Sequence, residues 1–172
     1  IGDFDTDGVP DVVVALSDGG PGLVQVLRNT GGGNLNPIPL VSRSAGTNTS
    51  AVVVGDFDGN GAPDVAATSE GSNQVFVFLG DGKGGLDSGH ITTVGNQPRA
   101  LVAGFFDAGG VLDLAVACAA DDQVRVLRGN ANGTFTAGPI LGVNPVVGTD
   151  EPVSLAAADL ELDGDLDIVT AN

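Results

Sequence analysis

Carboxylates recur along this chain at a fixed spacing. The phrase GDFDTDGVPDVVVA begins at Gly2, GDFDGNGAPDVAAT at Gly55, GFFDAGGVLDLAVA at Gly104 and ADLELDGDLDIVTA at Ala158. Numbered from residues 3, 56, 105 and 159, the phrases place side-chain oxygens at positions 1, 3, 5 and 9, with glycine at position 6. In a tightly curled loop every second side chain turns inward, the glycine permits the sharp turn, and the carbonyl of position 7 adds another oxygen. Such a donor set suits a hard cation. All-oxygen ligation argues against zinc or copper, and Mg²⁺ fits less well than Ca²⁺ because it prefers rigid six-coordinate geometry with retained water.

The first loop offers Asp3, Asp5, Asp7 and Asp11 with the carbonyl of Val9, and the second Asp56, Asp58, Asn60 and Asp64 with the carbonyl of Ala62. The fourth offers Asp159, Glu161, Asp163 and Asp167 with Asp165 at the carbonyl position, the longer Glu161 altering its geometry. The third has Phe105 and Gly109 where two donors should stand, and keeps only Asp107 and Asp113. About three calcium ions are therefore expected, with the third loop holding none. A single acidic cluster would read as a solvated loop whose carboxylates repel one another. More than half of the 22 acidic residues, however, fall in these phrases at matching positions. The ion's expected role is structural: it pins the loop and neutralises carboxylates that would otherwise destabilise the fold.

Strands must carry these loops. The phrases are spaced by 53, 49 and 54 residues, and each full period runs through the same pieces: an apolar run, the acidic loop, a second apolar run, an alternating third run, a Gly/Asn turn and a looser fourth segment. In the second copy these are Ala51 to Phe57, Asp64 to Thr68, Gln74 to Leu79, the turn Gly80 to Gly85 and a strand around His90 to Val94. Leu23 to Arg28, Gln74 to Leu79 and Gln123 to Arg128 alternate or nearly alternate with the period of a strand burying one face. The turns RNTGGGNL, GDGKGGL and GNANGTF are dense in residues that tolerate positive backbone angles. A phosphate cradle at GDGKGG is disfavoured, because the stretch lacks a following Ser/Thr and opens no helix. No segment has sustained helical periodicity. The expectation is an all-β array of four-stranded antiparallel blades, with repeats at about 1–50, 51–98, 99–151 and a partial 152–172.

The phrase Asp-Phe-Asp-x-Asn/Asp-Gly-x-Pro-Asp-Val with its following Gly-x-Gly hairpin resembles FG-GAP and VCBS repeats, the blades of integrin α-subunit-like β-propellers. The likeness is close in copies one and two and looser in copy three. The loop lacks the position-12 Glu and the flanking helices of an EF-hand, and is similar to the shorter strand-to-strand calcium loop of those blades. The resemblance implies two complete and two partial blades of a seven-bladed ring, completed by further blades or by self-association. It also implies a secreted or cell-surface module that binds a protein or glycan, as in adhesion, through loops away from the acidic ones. Two alternatives stand beside this reading: a surface-fibre tract assembled through strand edges, and a non-catalytic propeller attached to a secreted enzyme.

Composition narrows the partners. A formal charge of −16, from 22 acidic against six basic residues, argues against nucleic acid or an anionic membrane surface. No apolar run approaches the ~20 residues of a membrane span, so no membrane insertion is expected. The core must be built in thin layers from Val, Ala and Leu, since the chain has seven Phe and no Trp, Tyr or Met. Cys118, the single cysteine, sits in an apolar run and reads as a buried small hydrophobe. One histidine, His90, with no tyrosine and no pairing of nucleophile and base, leaves little material for an enzyme. Asn48 and Asn132 begin N-x-Ser/Thr patterns to which no role is assigned.

Overall fold

The computed structural model describes residues 1–18, 20–36, 39–143 and 151–172, so the last part of the expected 99–151 repeat, residues 144–150, lies outside the described residues. Its alternating apolar runs form antiparallel strands joined in chain order. The first sheet holds β1 (Val12–Leu16), β2 (Pro21–Leu27) and β3 (Val41–Thr47). The second holds β4 (Thr49–Gly55), β5 (Asp64–Ser69), β6 (Gln74–Phe78) and β7 (His90–Thr93). The third holds β8 (Pro98–Gly104), β9 (Asp113–Cys118), β10 (Gln123–Gly129) and β11 (Phe135–Gly142), and β12 (Ser154–Ala158) pairs with β13 (Asp167–Ala171). A bridge between Gly2 and Asp11 places the chain before the first loop where β4, β8 and β12 stand in the other sheets. Strand β4 starts at Thr49, ahead of the expected Ala51, because a bulge between these residues lets Thr49 pair with Ser69; β8 has the same bulge between Pro98 and Ala100. Among the described residues the only helical element is a 3₁₀ turn, Ala119–Asp121.

Successive sheets pack face to face, with β4 beside β8, β8 beside β12, and β1 beside β4. The described sheets follow one another like propeller blades in an arc that does not close. The second sheet is buried on both faces, and its two-residue period sorts its side chains between them. Ala66, Val75 and Val77 face the third sheet, joining Phe57, Leu101, Leu114, Val116, Leu127 and Phe135. Val65, Ala67, Phe76 and Phe78 face the first, joining Phe4, Val24, Val26 and Leu86. Each such fully buried side chain contributes roughly 1.5–3 kcal/mol. Cys118 is buried within the first of these cores.

Glycine at the residue before the first three loops makes the stacking of sheets feasible. A Cβ at Gly55 would lie 2.9 Å from Leu112 Cδ1, and one at Gly104 would lie 2.8 Å from Leu166 Cδ1. Leu112 and Leu166 are both position 8 of the following loop, so the glycine of one repeat clears space for the next. Register is also shared: Val12 faces Leu27, Val65 faces Phe78 and Leu114 faces Leu127. Arg28, Leu79 and Arg128 therefore stand at one equivalent place, at the end of the third strand and beside the acidic loop.

Candidate metal centres

Each acidic loop connects the first strand of a sheet to the second, and its own carboxylates shape it. Asp3 Oδ1 accepts the Asp7 amide at 3.1 Å and its Oδ2 the Gly8 amide at 2.9 Å. Asp56 Oδ1 accepts the amides of Gly59 and Asn60 at 2.8 and 3.1 Å, and its Oδ2 that of Gly61 at 3.0 Å. Asp159 repeats the pattern, with Asp163 and Gly164 as donors at 3.2 and 3.0 Å. Positions 3 and 5 close tighter turns, as where Asp58 accepts the Asn60 amide at 3.0 Å and Asp7 accepts the Val9 amide at 2.9 Å. The position-6 glycines Gly8, Gly61, Gly110 and Gly164 all have positive φ, between 70° and 97°, the left-handed region that glycine enters without steric cost. Position 4 is also left-handed at Thr6, Gly59 and Leu162, but not at Ala108. The third loop, with Phe105 in place of the position-1 aspartate, lacks the acceptor that curls the others.

Position 9 has a second task that its spacing did not disclose. Asp11, Asp64 and Asp113 are almost fully buried. Asp64 Oδ2 accepts the Phe57 amide at 2.7 Å and its Oδ1 the Gly80 amide at 2.8 Å. Asp11 does the same with Phe4 and Asn29, at 3.1 and 2.9 Å, and Asp113 with Phe106 and Gly129, at 3.1 and 2.9 Å. One carboxylate thus ties the loop, the second strand and the end of the third strand together. This explains why Asp113 persists where other donors are lost. Burial pushes the Asp64 carboxyl up to about 6, against the pull of its two amide donors and with help from nearby Asp58 and Asp56.

Oxygens converge in two loops. One carboxylate oxygen each from Asp3, Asp5 and Asp11 lie within 4.8 Å of one another, and so do those of Asp56, Asp58 and Asp64. Three carboxylates at this separation can hold a metal ion, and the all-oxygen donor set fits a hard divalent cation. Asp7 stands outside the first group. The Arg28 guanidinium, a stand-in cation, lies beside the loop with Nε 2.7 Å from Asp5 Oδ2 and Nη2 donating to Asp7 Oδ2 at 2.9 Å. The Val9 amide and Arg28 together hold the Asp7 carboxyl below its usual range. In the second loop Asn60 donates through Nδ2 to Asp58 Oδ2 at 3.0 Å, while its Oδ1 accepts the Ala62 amide at 2.6 Å.

The loops are also tied to the following sheet. Gly84 donates to the Phe4 carbonyl at 2.7 Å and Gly133 to the Phe57 carbonyl at 3.2 Å, so the hairpin turn of each sheet rests on the loop of the one before. Three stretches of the chain, residues 3–67, 56–116 and 106–170, match the model of the FG-GAP-like repeat. The chain belongs to the FG-GAP-like repeat family. Each matched stretch of this FG-GAP protein begins at or beside one acidic loop and runs through the loop of the next copy into its second strand. A comparison with curated proteins found no match.

The fourth loop curls as its relatives do, and Asp167 Oδ2 accepts the Leu160 amide at 2.9 Å. Among the described residues its carboxylates form no converged group of three. Glu161 is exposed, and Asp163 accepts the Asp165 amide at 3.0 Å. In the third loop Asp107 meets Arg128 Nε at 3.3 Å. The arginines at loops one and three escaped sequence reasoning, although each lies at the end of an alternating run. His90, read from sequence as isolated, lies with Nε2 3.7 Å from Asp87 Oδ2 on the sheet surface. In the turn GDGKGG, Asp81 Oδ1 accepts the amides of Lys83 and Gly85, each at 2.8 Å, which gives the hairpin its shape.

Proposed function

We propose that this FG-GAP array is a non-catalytic, calcium-binding module that works outside the cell or on its surface, where calcium stiffens a propeller scaffold that presents a protein or glycan ligand surface. The observation that carries the reading is the paired convergence of Asp3, Asp5 and Asp11 and of Asp56, Asp58 and Asp64 on equivalent turns of adjacent sheets. Calcium accepts irregular oxygen geometry and six to eight ligands, so amide-organised carboxylates with added carbonyls suit it better than magnesium. Sites of modest charge on short loops fit the millimolar calcium found outside cells. Loop four, with Asp159, Glu161, Asp163, Asp165 and Asp167, is a third and weaker site in this reading.

The ligand surface is assigned to the opposite strand ends. There Asn96 reaches Asp121 through its amide and its side chain, both at 2.7 Å, and Asn73 joins Asn96 at 3.1 Å. Arg99 nearby lies 2.6 Å from Glu151 and 3.4 Å from Glu70. This polar network offers directional donors and acceptors of the kind used to read a protein or glycan surface.

Thermal unfolding in calcium and in chelator, for wild type and Asp58→Ala, tests the calcium role. An ion bound only by the folded state at a hundredfold excess over its dissociation constant adds ~2.7 kcal/mol. For a chain of this size that raises Tm by about 5–11 °C. Asp58→Ala is expected to remove most of the second loop's share. If chelator leaves the wild-type midpoint unchanged, the structural role of calcium is wrong.

A further inference from the structure

Register places Arg28, Leu79 and Arg128 at one equivalent position, yet only the arginines reach their acidic loops. Arg28 contacts Asp5, one of the three converged carboxylates, and also Asp7, which lies outside them. At the third loop, which has lost two donors, the same pairing survives between Arg128 and Asp107. A guanidinium therefore satisfies this loop geometry where a metal is not expected. At the second loop the equivalent Leu79 packs against the core, and the donor near Asp58 is the neutral amide of Asn60.

We propose that the residue closing the third strand tunes the cation affinity of its loop: Arg28 competes with the divalent cation for loop one, whereas Leu79 leaves loop two to the cation. This rests on the calcium reading above and ranks its sites, with loop two filling first. Two effects act together at loop one. The guanidinium occupies an Asp5 oxygen that the ion would use, and its positive charge repels the ion at contact distance. The pair is displaceable, since the Arg28 side chain is 40% exposed and exposed ion pairs are weak. Loop one thus trades a permanent, weak internal cation for an external one as calcium rises.

Calcium titration followed by amide NMR reads each loop separately, through the position-6 amides of Gly8 and Gly61. In wild type the Gly61 signal is expected to saturate at lower calcium than Gly8. Arg28→Leu is expected to shift the Gly8 midpoint to about tenfold lower calcium, the scale of removing one unit charge near a divalent ion in a water-like dielectric. The Gly61 curve should stay where it is. Arg28→Gln, which keeps polarity without charge, should shift Gly8 in the same direction. Leu79→Arg should move the Gly61 midpoint to higher calcium, and peak dispersion reports whether each variant is folded. An unchanged or raised Gly8 midpoint in both Arg28 variants, with Gly61 still titrating normally, overturns the competition while leaving the calcium reading intact. If neither glycine responds to calcium in wild type, the calcium reading fails and the competition with it.

Discussion

Asp113→Ala separates the clamp at position 9 from any metal role, because its loop has already lost the donors at Phe105 and Gly109. Asp113 is 1% exposed and accepts two amides, Phe106 at 3.1 Å and Gly129 at 2.9 Å. Alanine leaves both amides without a partner, and an orphaned buried donor costs about 1–3 kcal/mol. Phe106 and Gly129 both lie partly open to solvent, so water can partly replace the carboxylate at each amide. The expected total is about 3 kcal/mol, near the lower half of the summed range. That corresponds to a Tm lowered by about 6–12 °C. Asp113→Asn keeps one acceptor oxygen and should lose about half as much. The assay is thermal unfolding followed by circular dichroism, run in calcium and in chelator. Asp113→Ala should cost the same in both, whereas Asp64→Ala should cost more in calcium. A loss under ~1 kcal/mol, or one that depends on calcium, would refute the clamp.

Gly55→Ala drives a methyl into Leu112 and the Phe57 ring, at 2.9 and 3.0 Å, and should destabilise the stacking of the second and third sheets by about 1–3 kcal/mol in chemical denaturation. An unchanged midpoint would mean that the sheets adjust freely. The pH dependence of the cation-free protein follows from Asp64, whose carboxyl burial raises to about 6, above its unfolded value of ~3.9. Between these values the folded state holds a proton that the unfolded state lacks, so stability should rise as pH falls from 7 toward 4.5, by about 2 kcal/mol from this group. Asp64→Asn should flatten that slope, and unfolding midpoints in chelator across the window measure it; an equal slope in both proteins would contradict the assignment.

Much of this protein is local and therefore legible in its sequence. The alternation in Gln74 to Leu79 specifies a strand because side chains two apart share a face, and a strand buried on both sides needs apolar residues at nearly every position, as in β9. The glycine at position 6 announces a left-handed turn because other residues enter that region at a cost, and all four copies adopt it. The carboxylates that converge stand at positions 1, 3 and 9, two in the curled loop and one at the start of the second strand, so the phrase itself carries all three. What lay beyond sequence came from groups distant along the chain. Asp64 became a clamp only when Gly80 arrived with the third strand, and the low dielectric of that junction then raised its proton affinity. Asp7, outside the converged group, pairs with Arg28, 21 residues away along the chain and within hydrogen-bond distance in space. The fourth loop has matching carboxylates, yet among the described residues its oxygens do not gather. Spacing sets which oxygens can meet; which of them do depends on the charges and amides that tertiary packing brings beside them, since Coulomb energy and hydrogen bonding fall with distance in space and take no account of separation along the chain.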